Sequence, residues 1–253
     1  MIKKNLVSVI GTSYGNSQLE VIKSVKSVLA QNYSFIEFIV VVPKFKNNLN
    51  IFKKYKNIKI IQTSKLLNLP SSLNIALKYA QGEFVSRIDF DDYFDRNKLF
   101  KQVKFLKKNK NISILGTGYK DQKKKKYFIP IRGFILKVYT FFFNPVCHPS
   151  VLFRKKILNN AQFYNQKFDA AEDLELWLRF LSKNLRISNL NDSLIYYKKK
   201  KSLRSLKNFY FNLQARKIYS KKIFGLFFGT LNILMFHFLI KFYKFYLDAF
   251  KKK

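Results

Sequence analysis

The sequence predicts an α/β protein: a mostly parallel sheet flanked by helices, followed by a helical, aromatic and basic C-terminal tail. Three observations predict it. Short β-branched runs alternate with segments of helical periodicity through the first half. Turn residues separate the two kinds of segment. The last fifth is rich in Phe, Tyr and Lys and reads as helix.

In chain order, "LVSVI" (6–10) is an apolar β-branched run and predicts a strand. "SQLEVIKSVKSVLAQ" (17–31) places Leu19, Ile22, Val25, Val28 and Leu29 at helical spacing, with Ser17 and Glu20 as a capping box. "FIEFIVVV" (35–42) and "IKII" (58–61) read as buried strands. "SSLNIALKYAQG" (71–82) reads as a helix stopped by Gly82. "EFVSRI" (83–88) is the next strand, and Asp95 is expected to cap a helix through "NKLFKQVKFLKKN". "ISILG" (112–116) is a further strand, "DQKKKK" (121–126) a solvated loop without a role, and "HPSVLFRK" (148–155) a turn and strand. "AAEDLELWLRFLSKN" (170–184) puts Leu174, Trp177, Leu178 and Leu181 on one helical face. This order implies right-handed crossovers, with any ligand beyond the carboxyl ends of the strands. The expected division is a domain over 1–200 and a helical, membrane-associating tail over 201–253.

Composition narrows the function. Among 253 residues, 48% are hydrophobic, with 28 Phe and 15 Tyr, which excludes a disordered chain. The single cysteine, Cys147, leaves no internal disulfide framework and fits a reducing compartment. "MIKKNLVSVIG" runs straight into a strand without a cleavable signal pattern. The net charge is +35, and the basic residues are overwhelmingly Lys, spread through nearly every surface segment. Arg is the residue suited to bidentate contacts with bases and phosphates, so the Lys excess argues against a nucleic-acid partner. Two readings of the charge stay open: a Lys-rich composition, or attraction to an anionic membrane or anionic substrates. No P-loop or G-x-G-x-x-G occurs, so phosphates must be held another way. In the tail, 18 residues (223–240) carry no formal charge, the lower edge of what crosses a bilayer, with Asn232 and His237 interrupting. Dense aromatics and flanking lysines suit a helix lying at the membrane interface; a span and a helix packed on the domain are the alternatives.

The carboxylates are concentrated. Asp89, Asp91, Asp92 and Asp95 lie in one seven-residue window, and Asp169, Glu172, Asp173 and Glu175 in another; together they hold eight of the 14 acids. Like charges about 4 Å apart repel by on the order of 4 kcal/mol at an effective dielectric near 20, so a cation is expected among Asp89, Asp91 and Asp92. A divalent cation bridging carboxylates to a diphosphate is one answer. The plainer readings are an acidic turn with Asp95 as N-cap, and acids favoured by the dipole of the second helix.

"VSVIGTSY", "SVLAQNYSFIEFIVV", "LPSSLNIALKYAQGEFVSRIDFDD", "NPVCHPSVLFRK" and "AAEDLELWLRFLSKN", in that order over most of residues 6–185, resemble the family 2 glycosyltransferases of the Rossmann-like GT-A fold. The branch resembled builds bacterial surface polysaccharides. The resemblance implies an inverting transfer of sugar from a nucleotide-sugar donor to a hydroxyl of a growing, lipid-linked glycan at the cytoplasmic face of the inner membrane. "DFDD" looks like the DxD element, in which Asp91 would ligate Mn²⁺ or Mg²⁺, Asp89 would face the nucleoside and Asp92 would support the metal or sugar. Arg87 lies beside this element, and Thr12 matches a nucleotide-contacting position. "ED" at 172–173 resembles the catalytic-base motif, with Asp173 taking the acceptor proton and Glu172 orienting the acceptor or supporting that base. His148 becomes an acceptor or phosphate contact, and Lys198 takes the place of the Arg of an Arg-x-His. The usual acidic turn after the second strand is here Pro43 and Lys44, so the donor base is not read from that turn. A silent scaffold of the same fold is the main alternative, and a basic nucleic-acid binder the lesser one.

Of the remaining candidates, Trp177 reads as core or as a sugar-stacking platform, and Cys147 as a small buried hydrophobe. Arg204 and Arg216 read as a solvated basic face or as contacts for lipid head groups.

Overall fold

A computed structural model describes residues 2–44, 49–158, 163–198 and 206–251, the last eight as backbone alone. The chain forms two compact units: Met1–Tyr164 with Arg186–Lys199, and Asn165–Leu185 with Lys200–Lys253.

The first unit is built on a nine-stranded mixed sheet in the order β3-β2-β1-β4-β8-β6-β9-β5, with β7 paired to β6. Its strands are β1 (Lys3–Thr12), β2 (Ile36–Pro43), β3 (Ile58–Thr63), β4 (Gly82–Asp89), β5 (Tyr93–Phe94), β6 (Ile112–Lys120), β7 (Lys126–Tyr127), β8 (Leu152–Arg154) and β9 (Arg186–Tyr196). The first four are mutually parallel, as the alternating pattern requires. The short β8 enters antiparallel between β4 and β6, while β9 runs parallel to β6. Helices α1 (Gln18–Leu29), α2 (Leu49–Lys53), α3 (Leu69–Tyr79), α4 (Lys98–Lys108) and α5 (Gly133–Phe142) complete the unit. The core joins Val7, Val9, Phe38, Val40, Phe84 and Ile88 of the central strands to Val21, Val25 and Val28 of α1. Consecutive buried residues, many of them β-branched, suit such strands, because both sheet faces are covered.

Local chemistry sets the boundaries. Ser17 and Glu20 form the expected capping box on α1. Gly82 does not stop a helix. α3 ends at Ala80, and Gly82 opens β4, where a Cβ would lie 2.6 Å from Leu6 O and 2.7 Å from Ser8 N. It is glycine because β1 passes too close for any side chain. Asp95 is not the N-cap of α4 either: Asn97 holds that position, and the Asp95 carboxylate, two residues earlier, accepts from the Asn97 N–H (3.2 Å).

The second unit contains α6 (Glu172–Ser182), α7 (Leu206–Phe224) and α8 (Leu226–Lys251). Phe168, Leu174 and Leu178 pack with Ala215 and Ile223. Trp177 is fully buried, in keeping with a core role. Arg216 presents neither a solvated basic face nor a lipid contact. It is 1% exposed, donates to Asn232 Oδ1 (3.1 Å) and lies over the Phe236 ring (3.8 Å), and burial lowers its pKa to about 9. Arg204 falls outside the described residues. Leu226–Tyr243 is, among the described residues, the one helical stretch long and apolar enough to cross a membrane, and 17% of it is buried.

Candidate active site

The acidic turn begins where β4 ends. Asp89 is the last residue of β4 and is paired in register with Thr12, the last residue of β1. Both therefore stand at the carboxyl edge of adjacent parallel strands, where open sheets hold their ligands. A turn closed by the Asp92 N–H on Asp89 O (3.0 Å) then carries Asp91 and Asp92. Arg87, buried two residues earlier, donates to Asp89 Oδ1 at 2.5 Å and supplies positive charge beneath the turn.

The two carboxylates beyond Asp89 differ. Asp92 is 1% exposed; its Oδ1 accepts the Lys198 backbone N–H (2.7 Å), while Oδ2 is buried without a hydrogen-bond partner among the described residues. Burial, reinforced by the Asp89 charge, pushes its pKa well above the ordinary carboxylate value. Asp91 is half-buried and lines a cavity of about 230 Å³ together with Glu20, Asp121, Tyr196 and Lys198. Tyr93 and Tyr196 stack at 4.3 Å in its wall, with Lys23 Nζ 3.8 Å from the Tyr93 ring centre. Lys198 Nζ donates to Glu20 Oε1, whose partner oxygen accepts the Ser17 N–H (3.0 Å). The Lys198 bond, first among its causes, lowers the Glu20 pKa. One residue thus links the end of β9 to both α1 and the acidic turn.

Asp121 is a residue that sequence reasoning missed. The loop at 121–126 is not idle: Asp121 Oδ1 accepts the N–H groups of Lys123 and Lys125 (2.9 and 3.0 Å), Oδ2 accepts from the Tyr127 hydroxyl (3.1 Å), and the residue borders the cavity. The legible signal was an Asp opening a polar turn, a residue type that bonds backbone N–H groups two and four positions on. His148 is buried rather than facing the cavity, its Nε2 sharing a hydrogen bond with the Tyr164 hydroxyl (2.9 Å). Burial, aided by the Arg87 charge, holds it well below the usual imidazole pKa and so neutral. Cys147 is half-buried, more open than a packed hydrophobe.

In the second unit, Glu172 and Asp173 open α6. Glu172 is buried, and Asp173 is half-buried with Oδ1 accepting the Leu174 N–H (2.7 Å). The neighbouring acids hold structure: Glu175 is fully buried and binds Arg179 (2.8 and 3.1 Å) and the Tyr219 hydroxyl (2.8 Å), while Asp169 pairs with Lys207 (2.9 Å). The structure therefore gathers Thr12, Arg87, Asp89, Asp91, Asp92 and Lys198 at one sheet edge of the first unit, and carries Glu172 and Asp173 on a helix of the second.

Among the described residues no three His, Cys, Asp or Glu side chains meet to hold a metal. The acidic turn nevertheless fits a divalent cation held partly by a ligand's phosphates. Asp91 opens on the cavity, and Asp92 Oδ2 is a buried acceptor without a hydrogen-bond partner among the described residues.

Comparison with known proteins agrees with this geometry. The sequence profile described as Glycosyl transferase family 2 matches residues 8–160. WfgD of Escherichia coli, a UDP-Glc:alpha-D-GlcNAc-diphosphoundecaprenol beta-1,3-glucosyltransferase, is 30% identical over 211 residues, covering 79% of each chain. The putative glycosyltransferase EpsE of Bacillus subtilis is 30% identical over 203 residues, 74% of this chain and 71% of its own. Among solved structures, S. aureus TarS 1–349 in complex with UDP-GlcNAc superposes with a TM-score of 0.69 at 22% identity, over 86% of this chain and 66% of that one. The mannosyltransferase PcManGT from Pyrobaculum calidifontis, in complex with GDP-Man and Mn2+, gives 0.63 at 16% identity, over 84% and 63%. This chain spans less than two thirds of both solved chains, and at those identities they speak for the fold alone, which is GT-A. With an acidic turn at the carboxyl edge of a GT-A sheet and a family profile covering most of the first unit, the chain belongs to glycosyl transferase family 2.

Proposed function

We propose that the protein is an inverting glycosyltransferase that moves a sugar from a nucleotide-sugar donor to a hydroxyl of a lipid-linked glycan at the cytoplasmic face of the inner membrane. The observation that carries this reading is the Thr12–Asp89 register, which sets the acidic turn against the cavity lined by Asp91. Thr12 and Asp89 bind the nucleoside side of the donor, and Arg87 orients Asp89 through their ion pair. Asp91, supported by Asp92, would hold Mn²⁺ or Mg²⁺, which neutralises charge on the departing diphosphate when bound. Lys198 adds a cation at the same cavity. Asp173 takes the proton of the acceptor hydroxyl as its oxygen attacks the anomeric carbon, and the bond to the diphosphate breaks on the opposite face. Single displacement inverts that carbon. Glu172, beside the base, orients the acceptor. His148, neutral and buried, supports the fold in this reading rather than touching phosphate.

The donor and acceptor classes follow from relatives such as WfgD, whose name specifies UDP-Glc and a GlcNAc-diphosphoundecaprenol acceptor. The tail over 201–253 serves as the interfacial anchor of the domain over 1–200; a Leu226–Tyr243 stretch of mean hydropathy 1.5 that is mostly unburied supports this role. The test is thermal shift of the full chain against UDP and GDP, with and without Mn²⁺. Stabilisation by one diphosphate that requires the metal, and is lost in Asp91→Asn, is the expected result. No stabilisation under any condition would favour a silent scaffold.

A further inference from the structure

The middle of the first unit carries a helix whose outward side is apolar where it should be polar. In α5, Leu136 and Thr140 face the interior, four residues apart. At 100° per residue, a surface helix with that inner face should present charged side chains on the other. Instead Phe134, Ile135, Val138 and Phe142 occupy an outer arc about 100° wide, centred almost opposite the buried pair. Phe134 is 79% exposed and Ile135 70%. Phe128 and Ile131, just before the helix, are exposed as well. Single exposed hydrophobics are ordinary; a continuous stripe of them marks a surface that meets something.

The charge around the stripe selects the partner. No Asp or Glu occurs between Asp121 and Asp169, whereas Lys occupies 123–126, Arg occupies 132 and Lys137 lies on α5 beside the stripe. All six of these cations are exposed. Aromatic and aliphatic side chains flanked along the sequence by cations match a bilayer with acidic head groups, where rings enter the acyl boundary and lysines stay at the phosphates. A ten-residue helix is about 15 Å long, half the thickness of a hydrocarbon core, so it lies in the interface and does not cross it. We infer that α5 is a membrane-docking helix of the sheet-bearing unit, in contact with anionic lipid independently of the C-terminal tail.

The experiment places an environment-sensitive fluorophore on single cysteines of the full-length chain in a Cys147→Ser background, at Phe134→Cys, at Leu234→Cys in the tail and at Lys78→Cys on α3 as a control. Vesicles of phosphatidylglycerol and phosphatidylethanolamine should shift the Phe134→Cys emission to the blue and raise it several-fold, leave Lys78→Cys unchanged, and lose the effect when phosphatidylcholine replaces the acidic lipid. A silent Phe134→Cys label beside a responding Leu234→Cys label would overturn the inference and keep the tail anchor; the reverse pattern would keep the inference and remove the tail anchor. An equal response to neutral vesicles would overturn the anionic preference. A blue shift without vesicles that grows with protein concentration would assign the stripe to a second copy of the chain and overturn the inference. As a second measurement, the triple variant Phe134→Ser, Ile135→Ser, Phe142→Ser should bind the acidic vesicles at least tenfold more weakly with an unchanged unfolding temperature. Unaltered binding would again overturn the inference.

Discussion

Lys98 carries an amine into the interior of the first unit: it is fully buried, donates to Ser86 Oγ (2.7 Å) and lies 3.9 Å from the centre of the Phe94 ring. Burial pushes its pKa well below the ordinary lysine value. The unfolded chain therefore binds more protons than the folded one between the lowered value and about 10.5, and stability rises with pH across that window. Lys98→Met should remove this slope and raise the melting temperature near neutral pH by about 2–4 °C, equivalent to ~1 kcal/mol, because Ser86 Oγ keeps its bond to Val151 O. Melting curves between pH 6.5 and 10 check it; an unchanged slope would show that the ammonium is solvated. At the same scale, Asp173→Asn should lower kcat by roughly 10²–10⁴ while leaving the metal-dependent donor stabilisation intact, as loss of a proton acceptor does. Loss of donor binding in that variant would move Asp173 out of the base role.

At the scale of elements, α7 and α8 meet around Arg216, whose stem lies against Phe236 and whose guanidinium donates to Asn232. Arg216→Ala should cost about 2–4 kcal/mol in urea unfolding through lost packing, whereas Arg216→Met, which keeps the stem, should retain most of the stability. Equal losses would show that the charge matters more than the stem. The parallel strands were legible as short continuous apolar runs, and the amphipathic helices because one face is apolar at the helical period, as at Val21, Val25 and Val28. Three features were not. Gly82 followed a helical pattern, and a glycine's reason is the backbone beside it, here Leu6 and Ser8 of a strand 74 residues away. β8 is three residues long, too short to state its direction. α5 was not legible because "GFILKVYTFF" is apolar on its exposed side as well as its buried one, so it reads as one apolar run. In the site, the acidic turn was visible as a local excess of Asp, but Asp121 and Glu20 enter it through tertiary contacts that no spacing encodes.

At the scale of the whole molecule, a net charge of +35 on 253 residues stores self-repulsion that counter-ions relieve. Raising NaCl from about 20 to 300 mM should therefore raise the melting temperature by several degrees, as the Debye length falls from roughly 20 to 6 Å. A flat response would mean that local pairs such as Lys101–Asp192 and Lys207–Asp169 already balance the field. The scarcity of acids also gives the turn at 89–92 its meaning, since the four carboxylates in 89–95 stand in a field that elsewhere draws anions.

Asp92 is anchored by a main-chain N–H at position 198, not by that residue's side chain. Every amino acid except proline supplies the same donor. The side chain at 198 bonds Glu20 instead, so a substitution there gives up that ion pair and alters the charge presented to whatever enters the cavity, while the anchor on Asp92 stays in place. Substitutions at this one codon therefore vary the electrostatics of the cavity wall without removing the backbone donor that fixes the buried carboxylate.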